Sequence, residues 1–188
     1  MKHEITTYNT KRMLADTLKN LMKTKPFSKI TVSEIIKECG VNRKTFYYHF
    51  SDIYGLLKWM FEEEAVEVVK HFDLLEDYDS ALYFVLKYVE ENDYIINCAY
   101  DSMGRDEMKR FFYTDFVGGV RTVIDEAEKK FNKEIEPGMK DYVAKFYTEA
   151  LSGMLIEIVK ERDHAKRERA VEYLTKIIEV AIESIVLG

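Results

Sequence analysis

Little in this chain of 188 residues breaks a helix, for it holds only two prolines and eight glycines. Proline removes an amide and glycine loosens the backbone, so long stretches free of both favour an all-α fold. Cysteine is scarcer still. Cys39 and Cys98 lie far apart and near no histidine pair, which excludes a disulfide framework and zinc-finger spacing. No apolar run is long enough to span a bilayer and no signal peptide is legible, so a cytoplasmic protein without membrane contact is expected. The motifs of covalent, metal or nucleotide chemistry are missing too: there is no G-x-S-x-G, H-E-x-x-H, P-loop or paired-cysteine pattern. The four histidines, His3, His49, His71 and His164, are dispersed, and the run Glu62-Glu63-Glu64 reads as a solvated helix face. The sequence therefore points away from an enzyme and calls for no cofactor or metal.

What is present is a core-forming, unevenly charged chain. Hydrophobic residues make up 47% and charged residues 33%, enough for one or two small helical domains. The first fifty residues carry ten Lys/Arg against four Asp/Glu, a net +6, and the rest carry 18 against 30, a net −12, which together make the overall −6. A basic head on an acidic body is drawn to a polyanion in one orientation.

Inside that head, Thr31–Phe50 reads TVSEIIKECGVNRKTFYYHF. Thr31 and Glu34 have the spacing of a capping box, Ile35 and Ile36 give the following helix a buried side, and Gly40 stands where a helix ends at positive φ. Val41 plugs the turn. Asn42 is suited to cap a second helix. Two helices joined by a short glycine-containing turn are the DNA-binding helix–turn–helix. At about 100° per residue, Arg43, Lys44, Tyr47 and Tyr48 share one face of the second helix, while Phe46 and Phe50 face the core. Cations neutralise phosphates and donate to guanine edges, and Thr and Tyr hydroxyls fix register on the backbone. His49 sits in the last turn, with phosphate contact and capping of the helix end both open to it.

These residues carry a resemblance. From about Thr10 to Leu57 the chain resembles the DNA-binding domain of tetracycline-repressor-type (TetR/AcrR) transcriptional regulators, through Thr-Val-Ser-Glu-Ile-Ile at Thr31, the Gly40-Val41 turn, and Thr45-Phe46-Tyr47-Tyr48-His49-Phe50 followed by Ser51-Asp52 and Leu56-Leu57. The resemblance implies that Arg43, Lys44, Thr45, Tyr47, Tyr48 and His49 lie at the DNA, Lys44 and Tyr47 nearest base edges, and that Thr31 and Ser33 meet backbone. The family often has a lysine shortly after the final Phe, where this chain has Asp52-Ile53-Tyr54-Gly55. More weakly, Tyr100–Arg105, Phe111-Phe112-Tyr113 and Phe146–Gly153 look like the C-terminal region of DhaS-like regulators, similar to the dihydroxyacetone-kinase operon regulator.

The expected architecture is an N-terminal three-helix head over residues 1–51 and a helical ligand-binding and dimerisation bundle over 52–188. The first helix should run from about Thr10 to Lys23 with Leu14, Leu18, Leu21 and Met22 inward, and Pro26 stops it. A fourth helix, beginning at Ser51 or Asp52 and capped by Ser51, should reach about Phe72. Further helices follow at Ser80–Glu91, Tyr94–Met103 and Arg105–Phe131, where Gly118-Gly119 either kinks the helix or admits a close neighbour. After Pro137-Gly138 come two long helices joined by a charged link at 160–169. Tyr142 or Val143, Phe146, Ala150, Met154, Leu155 and Ile158 mark the buried line of one. Val171, Leu174, Ile178, Ala181, Ile182 and Ile185 mark that of the other. Ala150, Ser152 and Gly153 permit close packing of a partner helix, and two such helices can form a four-helix bundle across a two-fold axis.

The family implies a homodimer through the last two helices, a small-molecule effector, and a repressor that binds a palindromic operator in double-stranded DNA; a co-activator of the same fold that works through a protein partner is the alternative. Met60, Phe84, Tyr88, Tyr100, Met103, Phe112, Phe116, Phe146 and Met154 are the candidates for an effector pocket, although aromatic and Met residues at helical spacing also serve as plain core.

Overall fold

In a computed structural model the chain folds into helices alone among the described residues, which are 2–66 and 69–187; for 2–5, 182–183 and 185–187 only the backbone is described. The helices are α1 (Lys2–Met22), α2 (Val32–Cys39), α3 (Arg43–His49), α4 (Ile53–Phe61), α5 (Tyr78–Glu91), α6 (Asp93–Phe131), α7 (Pro137–Lys160) and α8 (His164–Leu187), with a 3₁₀ turn at Phe27–Lys29. They form two compact units, one of residues 1–66 with 94–102 and one of 67–93 with 103–188.

The first unit closes around side chains that the sequence marks as apolar: Leu14, Leu18 and Met22 of α1, Phe27, Ile35 of α2, Phe46 of α3, and Leu56 and Leu57 of α4 are all buried. α1 begins about eight residues earlier than the apolar stripe suggests. Tyr8 on this added stretch packs edge-on against Trp59, and Lys11 lies over the rings of Phe50 and Trp59. Asp52, not Ser51, caps α4, accepting from the Gly55 amide at 2.8 Å. The α-helix then gives way at Phe61 to a π-helical turn, Glu62–Val66, rather than continuing unchanged to Phe72. Glu64 in that turn takes an ion pair from Lys19 of α1 at 2.6 Å.

The stretch 94–102, the first part of α6, completes this unit. Ile95, Ile96, Asn97, Cys98 and Ala99 are buried in succession, as happens when a helix has neighbours on every side. Gly104 ends the stretch: its φ of 80° and ψ of 170° interrupt α6.

In the second unit, Leu86 of α5, Ile158 of α7, and Val171 and Leu174 of α8 form a core cluster, flanked by Leu82, Leu151, Ala170 and Ile178. α6 runs through Gly118-Gly119 without a break, and a Cβ on Gly119 would come within 3.4 Å of the Leu74 side chain. Asn132 closes α6 in the left-handed conformation. Glu136 opens α7 by accepting from the Gly138 and Met139 amides at 2.9 and 2.7 Å, with Pro137 in the first turn. Antiparallel α6 and α7 are laced by ion pairs Arg105–Glu157, Lys109–Glu149, Arg121–Asp141 and Lys140 with Asp125 and Glu128. The link from α7 to α8 is only 161–163, shorter than the charged run suggests. Behind it Arg167, buried, pairs with Asp93.

The inward line of α7 corrects the sequence reading. Ala144, Thr148, Ser152, Leu155, Ile156, Ile158 and Val159 are buried, whereas Tyr142, Phe146 and Met154 are exposed. A helix with apolar residues around most of its circumference does not reveal from sequence which side its own chain covers. On α8, Val171, Leu174 and Ala181 are buried and Tyr173, Ile177 and Val180 exposed. The side chains of Ile182 and Ile185 lie outside the described residues.

Candidate nucleic-acid interface

The geometry of α2 and α3 is set by their ends. Thr31, extended at φ −119° and ψ 151°, accepts the Glu34 amide at 3.3 Å while its own amide donates to the Glu34 carboxylate at 2.9 Å. Lys25 also pairs with Glu34, fastening the preceding loop to the helix. That lysine contact first, and the Thr31 amide and hydroxyl next, hold the Glu34 carboxyl below the usual carboxylate range. At the other end Gly40 adopts φ 67° and ψ 24°, and the amides of Gly40 and Val41 satisfy the last carbonyls of α2. Asn42 then caps α3, its side-chain oxygen accepting the Thr45 amide at 2.8 Å and the Thr45 hydroxyl at 3.1 Å.

These caps present α3 with Phe46 and Phe50 buried beneath it and Arg43, Lys44, Tyr47 and Tyr48 outward, Tyr47 being 46% and Tyr48 70% exposed. Thr31 and Ser33 are exposed at the start of α2. Thr45 and His49 are half-buried. The hydroxyl of Thr45 is turned to Asn42, and the His49 ring meets Tyr48 edge-on at 4.9 Å. The Arg43 guanidinium spans the two helices, donating to the Ser33 hydroxyl at 3.3 Å and the Tyr47 hydroxyl at 3.4 Å. The sequence reading missed this link, since residues ten apart on different helices share no periodicity. It also missed the neighbour of the 3₁₀ turn, Cys98, whose sulfur accepts the Phe27 amide at 2.9 Å. The signal for that was the largely apolar run Tyr94–Tyr100, whose one strongly polar residue is Asn97. Cys39, half-buried at the end of α2, bonds the Thr17 hydroxyl at 3.0 Å, and burial raises its thiol pKa.

The effector-pocket candidates are divided between the two units. Met60 and Tyr100 belong to the first unit, buried and half-buried. In the second, Phe84 stacks on Tyr88 at 6.5 Å and Phe112 on Phe116 at 5.8 Å, all four half-buried, as is Met103. Phe146 and Met154 are 62% and 41% exposed and face away from the core of their unit. Among the described residues, no group of three His, Cys, Asp or Glu could hold a metal ion, and no helix is long and apolar enough to cross a membrane.

Comparison with known proteins agrees with the helix–turn–helix geometry. Residues 14–60 match the model of bacterial regulatory proteins of the tetR family, and residues 76–180 match the model of a transcriptional regulator C-terminal region. The chain is 23% identical over 150 residues to the HTH-type dhaKLM operon transcriptional activator DhaS of Lactococcus lactis subsp. lactis (strain IL1403), covering 80% of this chain and 79% of that one. A solved structure of the dihydroxyacetone kinase operon activator DhaS superposes with a TM-score of 0.66 at 22% identity, covering 91% of this chain and 97% of that one.

Proposed function

Because the chain belongs to the tetR family of bacterial regulatory proteins, transcription regulators rather than enzymes, we propose that it is a homodimeric, ligand-responsive regulator that binds a palindromic operator through α3. The observation that carries this is the outward face of α3, where two cations and two phenols stand on a doubly capped helix pair with no acidic side chain on that helix. Lys44 and Tyr47 are the base-reading residues of the proposal. Arg43, Thr45, Tyr48 and His49 serve the recognition helix around them, and Thr31 and Ser33 meet the backbone.

Dimerisation through α7 and α8 is supported by their exposed apolar residues. Tyr142, Phe146 and Met154 recur at helical spacing on one helix, and Tyr173, Ile177 and Val180 on the other. Exposed apolar side chains on two long helices are what an isologous helix-bundle interface needs. A dimer would hold two copies of α3 at successive major-groove faces, about 34–36 Å apart. An effector bound preferentially by the conformer of the second unit that mis-spaces the heads would lower DNA affinity by its coupling energy, typically ~1–3 kcal/mol. A regulator that occupies its operator without effector acts as a repressor.

A second reading is activation, favoured by the similarity to DhaS, an operon activator. Under it the same fold helps recruit a protein partner. Selection of bound duplexes from a random pool tests the leading reading. Enrichment of a palindrome with half-sites about one helical turn apart, lost in the double variant Lys44→Ala/Tyr47→Ala with fold and dimer intact, is the expected result. Retained site-specific binding by that variant would refute the assignment of α3, and absence of enrichment by the folded dimer would move the activator reading to first place.

A further inference from the structure

Arg43 opens α3, and its Cα–Cβ bond tilts back toward the helix N-terminus, as all helical side chains do. That direction carries the guanidinium to α2. One Nη donates to Ser33 at 3.3 Å and the other to the Tyr47 hydroxyl, one turn along α3, at 3.4 Å. The guanidinium carbon also lies 5.6 Å from the centroid of the Tyr47 ring. A single side chain thus holds the phenol by its face and its hydroxyl, and anchors both to the other helix of the motif. Arginine suits this because its rigid planar fork stacks and donates at once, which a lysine ammonium cannot do. Tyr47, by contrast, is nearly half exposed. Without the guanidinium its phenol has an open surface on which to change rotamer.

We propose that Arg43 is a positioning residue: it fixes the Tyr47 phenol in one pose across the α2–α3 notch, and its effect on DNA binding passes through Tyr47. The inference rests on the reading of α3 as the recognition helix. It differs from the plain expectation that each cation on α3 independently neutralises a phosphate. A phosphate contact adds about one unit to the salt dependence of binding, whereas a brace adds affinity without changing the number of released counterions.

Two measurements on the full-length protein separate these. The first needs no DNA. With 3-fluorotyrosine placed at position 47, the ¹⁹F resonance of the free protein should shift and broaden in Arg43→Ala and in Arg43→Lys; a resonance unchanged in both overturns the brace. The second uses the duplex enriched by selection. Arg43→Ala should weaken binding on the order of tenfold, within the coupling range of contacting residues, and should cost less than about twofold once Tyr47→Ala is already present. Its salt slope should match that of the wild type. Arg43→Lys, which keeps the charge and loses the fork, should behave as Arg43→Ala does. Additive losses with a slope lowered by Arg43→Ala would make Arg43 a direct phosphate contact and overturn the proposal. Failure of the wild-type dimer to enrich any duplex would count against the DNA-binding reading alone, and the ¹⁹F result would still decide whether Arg43 fixes Tyr47.

Discussion

The backbone amide of Phe27 donates to the sulfur of Cys98 at 2.9 Å, although 71 positions separate the two residues in the chain. Phe27 begins the 3₁₀ turn between α1 and α2, and Cys98 lies in the middle of the 94–102 stretch. The helix–turn–helix head therefore completes its core with residues that follow α5 and precede Gly104. A sulfur atom meets a buried amide that would otherwise go without an acceptor.

Replacing Cys98 with Ala should cost about 1–3 kcal/mol, the penalty for orphaning a buried donor. Urea unfolding followed by the fluorescence of Trp59, the single tryptophan, reads this directly in the unit concerned. A variant as stable as the wild type would mean that the Phe27 amide finds another partner.

The cap of α2 gives a second expectation. Thr31→Ala should lose about 0.5–2 kcal/mol, as N-cap removals do. The pH dependence has a definite sign. The folded-state pKa of Glu34 is lowered, first by Lys25 and then by Thr31, so its contribution is present above the unfolded carboxylate value and is lost as pH falls through the lower folded value. Acid titration of the Trp59 signal should show a shallower loss of stability in Glu34→Gln, and an identical acid limb would exclude Glu34 as a contributor.

Glycine is required at two positions for backbone reasons alone. Gly40 at φ 67° and Gly104 at φ 80° both face open space, so an added methyl meets no neighbour. Gly40→Ala should cost about 1–2 kcal/mol and Gly40→Asn less, because asparagine tolerates the left-handed region. Gly104 also has ψ 170°, a region nearly reserved to glycine, so Gly104→Ala should cost up to about 3 kcal/mol. Thermal melts in which Gly104→Ala matches the wild type would mean that α6 closes over its break.

The apolar faces of α7 and α8 supply a fourth. Phe146→Glu and Ile177→Glu alter side chains exposed in the single chain, so neither should reduce helix content. Both should turn a dimer into monomers in sedimentation velocity, with weaker operator binding as a consequence, since one head alone grips half of a palindrome. Unchanged sedimentation of both variants would place any dimer contact elsewhere.

The head was largely legible in advance because its signals are local. A capping box, a left-handed glycine and an asparagine cap each act within four residues, and the structure shows all three at Thr31–Glu34, Gly40 and Asn42. Phe46 and Phe50 separate from Lys44 and Tyr48 by helical periodicity alone. The second unit was legible as helices but not as surfaces. Phe146 and Met154 have the same apolar character as Leu155 and Ile158, and periodicity groups them on one broad face. Which part of that face turned inward depended on where α5, α6 and α8 came to lie.

By itself, then, the sequence determined the caps of the helix pair at Thr31, Gly40 and Asn42, because such signals act within four residues, and it determined the basic face of α3, because adjacent positions on one helix have fixed angular relations. Only the tertiary structure decided that Arg43 reaches Ser33, that Cys98 accepts from Phe27, and that Phe146 stays outside. The first two relations join residues on different helices and the third depends on which side of α7 is covered; all three are chosen by packing, which one chain's periodicity does not encode.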